Sequence, residues 1–445
     1  MPETRSCPNA TCCIHTTKVS SVIDYRIDNK APIRHLNSFT GAIPFEFGNL
    51  VNLKSLDLSY NNLTGKILST LVYLQKLELL SLMNNQIEGT IPACFGDLPN
   101  LQVLYLWKNK LVGTIPQTLG QNTNLKLLNL SSNFLNGMIP QDLCIGQKLQ
   151  WLILQYNQLT GPIPESLGNC QSLTKLCLSY NFLNRLIPTG LLGLRNISLE
   201  EVKVNNIIGP IPSTFISAPL LGYFDFSDNY LSSSLPASIG NLTKLQQFLL
   251  PGNQFSGLIP PQICDIPLLN KLDLSLNNLL GPIPSTISNC MKLGSLDLSQ
   301  NNLSGEIPLQ IKYIPNLYLN LSHNHLTGHI PPQLQLVQTL SIIDFSYNNL
   351  SGQIPHFKLT IISAFVGNPF LCGDVLDCLT EDNIIGRSGV GTVYKGVMPS
   401  GEIVPVKRLS GEGKGASHDH GFSAEIQTLG KICHRNIVWL LRVLL

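Results

Sequence analysis

LKSLDLSYNNLTGKI, residues 53–67, is the stretch on which the fold turns. Leu56 and Leu58 stand five and three residues before Asn61 and alternate with polar neighbours, the period of a strand with one buried face. The same text recurs on both sides, with asparagines at Asn37, Asn61, Asn85, Asn109, Asn133, Asn157, Asn181, Asn205, Asn229, Asn253, Asn277, Asn301, Asn324 and Asn348. These are 14 copies, spaced by 24 residues except for one interval of 23. Proline follows seven residues later in 13 copies, with Leu68 the exception; glycine follows after four in 12, with Arg185 and Ser233 the exceptions.

One such unit cannot bury its leucines alone, so the units must stack into a continuous apolar core. The expected fold is an α/β repeat: a right-handed solenoid with a parallel strand just before each asparagine. At about 4.8 Å per strand, 14 coils would be roughly 65 Å long. Each asparagine amide can donate to and accept from backbone groups that the turn leaves unpaired. Asn61, Asn85, Asn109, Asn133, Asn157, Asn253, Asn277 and Asn301 are therefore read as a structural ladder. One copy breaks the pattern: in LRNISLEEVKVNNIIG the apolar position five before Asn205 is Glu200. A local distortion is expected there, because an unpaired buried carboxylate is costly.

Composition narrows the function classes. Only 13% of the 445 residues are charged and the formal net charge is +2, so no basic field points to nucleic acid or an anionic membrane. No apolar run reaches the length of a membrane span, and the first residues have no signal-type apolar core. That reads as a soluble, unsecreted chain. Cys7, Cys12 and Cys13 at the front and Cys372 and Cys378 near the end of the array read the other way, as disulfide-closed caps of an oxidising compartment. Cys94, Cys144, Cys170, Cys177, Cys264 and Cys290 fall at small or apolar repeat positions and are expected to be packed free thiols. Eight N-x-S/T sequons (at Asn9, Asn62, Asn129, Asn196, Asn241, Asn302, Asn320 and Asn349) arise partly from the repeat consensus itself. The histidines of SHDHGF and SHNHLTGHI lack a third ligand at metal-site spacing, so no metal is expected.

The 24-residue unit with its GxIP signature resembles the plant-specific leucine-rich repeat, and SAFVGNPFLCGDVLDC resembles the C-terminal cap of plant receptor-like kinase ectodomains. The resemblance implies a Cys372–Cys378 cap disulfide. It divides the chain into a degenerate N-terminal cap (1–32), repeats (33–357), a C-terminal cap (358–378) and a last segment (379–445). It also places function on the concave strands, six, four, two and one residues before each asparagine. Tyr105, Trp107, Lys108, Trp151, Ile153, Tyr156, Lys175 and Tyr180 stand there, with Tyr223 and Asp225 extending the stripe. Two readings compete: a peptide or protein ligand surface, or aromatics that merely pack on each other. Family members of CLAVATA type read a peptide carboxylate with paired arginines; no such pair stands at adjoining concave positions here.

From Leu379 the text changes. In IGRSGVGTVYKG, Gly386, Gly391 and Val393 fit a kinase glycine-rich loop, with Ser388 in place of the middle glycine; Lys407 in VPVKRL and Glu425 in GFSAEIQTLG follow in order. The segment resembles the N-lobe of CLAVATA and BARELY ANY MERISTEM type receptor serine/threonine kinases, a small antiparallel sheet plus one helix. That implies Gly386, Gly391, Val393 and Lys407 as ATP-binding residues and Glu425 as the lysine's ion-pair partner, with ATP and magnesium the cofactors of the intact family. No residue matches the catalytic aspartate or the magnesium ligands, and Pro405 deletes a donor from the lysine strand. An inactive kinase remnant needing no cofactor is expected, on a receptor-derived recognition protein whose partners are a peptide or protein ligand and a co-receptor kinase. The family implies a plasma-membrane location with extracellular repeats. The alternatives are an incomplete product of an active receptor kinase and a soluble inhibitor of polygalacturonase type; the kinase-like segment argues against the latter.

Overall fold

The computed structural model describes residues 38–213, 218–314, 317–336, 342–355, 357, 362–372, 384–388, 391–397 and 403–409. Within it, three-residue strands run from Ser55–Asp57 to Ile342–Asp344 and pair in parallel as one 13-stranded sheet, each strand ending four residues before a ladder asparagine. Register never slips: Leu128, Leu152 and Leu176 are direct partners across three coils. A second parallel sheet of 11 strands, from Glu88–Gly89 to His325–Thr327, follows the asparagines. The core lies between the sheets, and leucines such as Leu56, Leu80, Leu104, Leu128 and Leu152 in it are fully buried.

The expected helical side of the repeat is 3₁₀ among the described residues, which corrects the α/β assignment. Five-residue segments such as Glu165–Asn169 and Ser285–Asn289 each follow a proline at the N-cap. The proline's fixed φ starts the turn, and a 24-residue coil leaves too few residues to set up an α-helical ladder. In the copy without proline, Leu68 takes the same extended N-cap conformation ahead of Ser69–Tyr73.

The asparagines act as the spacing implied. Asn157 Nδ2 donates to Leu154 O of its own coil (3.0 Å) and to Leu130 O of the preceding one (3.1 Å), and Oδ1 accepts from Leu135 N (3.0 Å). The same three bonds recur from Asn85 to Asn348, and Asn61 begins the series against Phe39 N. Asn37 lies outside the described residues. The ladder runs one step further than the repeats: Asn368, inside the segment read as the C-terminal cap, accepts from Leu350 N (3.0 Å) and donates to Phe345 O (2.9 Å). The strand Phe370–Cys372 then pairs with Ser351–Gln353. Cys378, and with it the cap disulfide, lies outside the described residues.

Backbone handedness explains the glycine series. The residue four after each asparagine has positive φ, 71–88° at Gly41, Gly65, Gly89, Gly113, Gly137, Gly161, Gly209, Gly257, Gly281, Gly305, Gly328 and Gly352, a region glycine enters without steric cost. Arg185 (φ 73°) and Ser233 (φ 76°) are held in the same conformation despite their side chains. The residue just before the asparagine is also left-handed, φ 52–57° in twelve coils where it is not glycine and 66° at Gly252.

Two further expectations are overturned. Cys144–Cys170 and Cys264–Cys290 are disulfides, not free thiols; of the interior six, only Cys94 and Cys177 are unbridged. Both bridges span 26 residues, one repeat plus two, so each clamps a coil to the next. Glu200 causes no distortion. Its strand, Leu199–Glu201, keeps register on both sides, with Glu200 opposite Leu176 and Phe224. Six backbone pairings hold the strand, so the penalty falls on the side chain instead. Glu200 is fully buried, neither carboxyl oxygen has a hydrogen-bond partner, and desolvation pushes its pKa well above the usual value.

Two measurements test these assignments. Asn157→Ala orphans three buried backbone groups and should cost on the order of 1–3 kcal/mol of unfolding free energy; an unchanged denaturation midpoint would contradict the ladder role. Burial raises the folded-state pKa of Glu200 above its unfolded value, so folding takes up protons as pH rises past ~4.3. Stability should therefore fall as pH rises from about 4.3 toward the raised folded-state value, and Glu200→Leu should raise the midpoint and flatten that slope. Equal slopes in the two proteins would contradict a raised folded-state pKa for Glu200.

Candidate concave binding surface

Because the leucines point inward, alternate strand residues must point to the concave surface. The expected stripe resolves there into two groups. The first is aromatic. Trp107 meets Tyr60 edge-on, two coils away, with ring centroids 6.1 Å apart. Trp151 and Lys175 are direct cross-strand partners, and the ammonium lies 4.4 Å from the indole centroid. Tyr156 and Tyr180 stack at 4.4 Å. These two tyrosines occupy the left-handed position before the asparagine, and they remain 49% and 37% exposed. The aromatics thus pack on each other and still face outward. Tyr105 and Ile153, half-buried, flank Asn129 on adjoining strands.

The second group is polar and more enclosed. Lys203 Nζ lies 3.1 Å from Glu201 Oε1 and 3.4 Å from Asp225 Oδ2. Tyr223 Oη donates to Asp225 Oδ2 (3.1 Å), while Asp225 Oδ1 accepts from Ser227 N (3.1 Å) and from Ser227 Oγ. Burial would lower the Lys203 pKa, but the Glu201 hydrogen bond and the Asp225 and Glu201 charges hold it above its usual range. Burial, then the Asp225 charge, pushes the Tyr223 phenol up to about 12, so it stays a donor. Asp225 is only 2% exposed and its oxygens are occupied; it positions Tyr223 and Lys203 and offers little surface itself.

Sequence reasoning placed Tyr223 and Asp225 on the stripe but missed Glu201 and Lys203. The available signal was charge at concave positions in the one coil where Glu200 also breaks the apolar pattern. It also gave Asp225 too direct a role. An aspartate or asparagine two residues before serine recurs at Asp273, Asp297, Asn320 and Asp344, each accepting the serine N–H, so the pattern belongs to the strand exit. Desolvation, then Glu201, raises the Cys177 thiol between these groups to about 12, which makes it a poor nucleophile. Among the described residues no three His, Cys, Asp or Glu side chains are placed to hold a metal. The surface is suited to holding apolar and hydrogen-bonding groups against aromatic faces.

Past the array, Ile384–Ser388, Gly391–Val397 and Ile403–Leu409 form a three-stranded antiparallel sheet. Gly386 pairs with Val393 and Ser388 with Gly391, Lys407 is the partner of Val393 on its other side, and Pro405 is that of Lys395. Glu425 lies outside the described residues, so its pairing with Lys407 does too. No helix among the described residues is long and apolar enough to cross a membrane.

Leucine-rich-repeat family models match residues 99–159, 75–118, 52–74, 221–242, 268–290, 292–314 and 317–336. A leucine-rich repeat receptor-like serine/threonine-protein kinase of Arabidopsis thaliana is 58% identical over 59 residues, 13% of this chain and 5% of that protein. The leucine-rich repeat receptor-like protein kinase TDR of Arabidopsis thaliana is 46% identical over 85 residues, 18% of this chain and 8% of TDR. The solved Arabidopsis receptor kinase HAESA, in complex with the peptide hormone IDA and the co-receptor SERK1, superposes with TM-score 0.74 at 42% identity, over 76% of this chain and 57% of that one. The plant peptide hormone receptor RGFR1 with RGF2 gives TM-score 0.70 and 37% identity, over 72% and 51%. The chain therefore spans little more than half of these solved chains, and its array is a leucine-rich-repeat solenoid of the kind found in plant receptor-kinase ectodomains.

Proposed function

We propose that the protein is a recognition module of receptor-kinase origin that binds a peptide on the concave face between the coils of Asn109 and Asn229. One observation carries this reading: Trp107, Trp151, Tyr156 and Tyr180 stand outward at positions where the repeat needs no large apolar side chain, and the two tyrosines stay substantially exposed after pairing. Rigid, exposed aromatics beside an ordered polar cluster are the usual anchors of a binding site. An extended peptide lying across the strands would set apolar side chains against these rings and its backbone against Tyr223 and Lys203. HAESA and RGFR1, similar over most of this array, were solved with peptide hormones, which supports the same ligand class here. A co-receptor kinase as second partner, and an extracellular location for the repeats, follow from the same likeness. The two disulfides belong with that location, since such bonds persist in oxidising compartments.

The sheet of residues 384–409 is read as derived from a kinase N-lobe, with Gly386, Gly391, Val393 and Lys407 at the phosphate-cradling positions and no phosphotransfer by this chain. Pro405 supports loss of activity, because it places no N–H in the lysine strand opposite Lys395.

The double variant Trp107→Ala, Trp151→Ala should abolish capture from a secreted-peptide library that the parent retains, with an unchanged circular dichroism spectrum; retained capture moves the site elsewhere. For the terminal segment, calorimetric titration with ATP and a radiolabelled autophosphorylation assay should both be silent. Micromolar binding, or transfer that disappears in Lys407→Met, would contradict the remnant reading.

A further inference from the structure

Four of the sequons lie in strands and form two matched pairs with opposite surroundings. A strand sends residues i and i+2 to the same face, so its geometry decides the fate of the asparagine and the hydroxyl together. In Asn62–Thr64 and Asn302–Glu306, Leu63 and Leu303 point into the core, and Asn62, Thr64 and Asn302 are exposed while Ser304 is half-buried. Neither Asn62 nor Asn302 makes a side-chain hydrogen bond among the described residues. Asn241 and Thr243, at the end of the 3₁₀ helix Ala237–Asn241, are exposed in the same way.

The concave pair is closed. Asn129 Oδ1 accepts from Ser131 N (3.1 Å) and Ser131 Oγ (2.7 Å), and Ser131 is 6% exposed. Asn320 repeats this with Ser322 (3.1 and 2.8 Å) and also donates from Nδ2 to Asp297 Oδ2 (3.1 Å). Each is hemmed in by its strand neighbours, Asn129 by Tyr105 and Ile153, Asn320 by Asp297 and Asp344. An oligosaccharide on either would have to rise between those side chains, across the face where the aromatic surface lies.

We propose that the protein carries N-linked oligosaccharides at Asn62, Asn241 and Asn302, and that Asn129 and Asn320 stay unmodified in the folded molecule, leaving the concave face bare. In the reaction the carboxamide nitrogen attacks the anomeric carbon of a lipid-pyrophosphate-linked oligosaccharide. The C–N bond forms, the C–O bond to pyrophosphate breaks with its electron pair, and one amide proton passes to a base of the transferase; nothing is oxidised or reduced. The compartment that forms the two disulfides is one in which this transfer occurs. This inference stands independently of what the concave face binds.

The test is a site map of the 445-residue chain, expressed behind a fused secretion leader in insect cells. Enzymatic deglycosylation in ¹⁸O-water converts each formerly modified asparagine to labelled aspartate, read by peptide mass spectrometry. Near-complete label at Asn62, Asn241 and Asn302 and none at Asn129 and Asn320 is expected; on gels Asn302→Gln should lose one glycan step and Asn129→Gln none. Comparable label at Asn129 or Asn320, or an unlabelled Asn62 and Asn302, overturns the proposal. If secretion fails, the same map read on the protease-resistant fraction of the secretory compartments decides between the same outcomes.

Discussion

One amide per coil governs the rest of the structure. Each ladder asparagine satisfies three backbone groups drawn from two coils, in a turn that cannot pair them by itself. Left open, each group would cost about 1–3 kcal/mol. Because the bonds reach into the preceding coil, they fix the stacking register as well as the turn, and a fixed register puts every leucine in the core. Apart from the Asp or Asn that accepts a serine N–H at the strand exit, the concave side chains are then free of that duty, and departures from the repeat among them are the informative ones.

The array tolerates strong local faults because its stability is close to a sum over coils and their interfaces. Glu200 is a carboxyl in a leucine's place, yet strands paired on both sides hold it there, and burial raises its pKa. Arg185 and Ser233 keep a backbone conformation suited to glycine. The two disulfides join the Asn133 coil to the Asn157 coil and the Asn253 coil to the Asn277 coil, on either side of the coil that contains Glu200.

What could be read in the sequence was whatever recurs with the period. Asparagine, proline and glycine gave the coil, the strand positions and the stacking direction, since each has a fixed backbone role. Features joining one coil to the next were harder to read. The 26-residue cysteine spacing, one period plus two, is visible only once positions in adjacent coils are superposed, and judged within its own coil each cysteine looks like a small apolar residue. The left-handed residue before the asparagine was invisible because tyrosine, lysine, serine and glutamine all occupy it. Asn368 was missed because it lies 20 residues past Asn348, outside the period. At the site, the aromatics were legible as residues out of pattern, whereas Asp225 looked available and proved to be enclosed by Tyr223, Ser227 and Lys203.

One continuous asparagine ladder holds the coils as a single rigid scaffold behind the concave surface. Residue-resolved hydrogen exchange reads this through the amides two residues after each ladder asparagine, which donate to the next asparagine's Oδ1: Leu63, Ile87, Leu111, Leu135, Leu159 and onward to Leu350. These amides should exchange slowly as a series, with the 24-residue period of the sequence and no break at Glu200. Exchange at these positions as fast as at the exposed turn residues would contradict it.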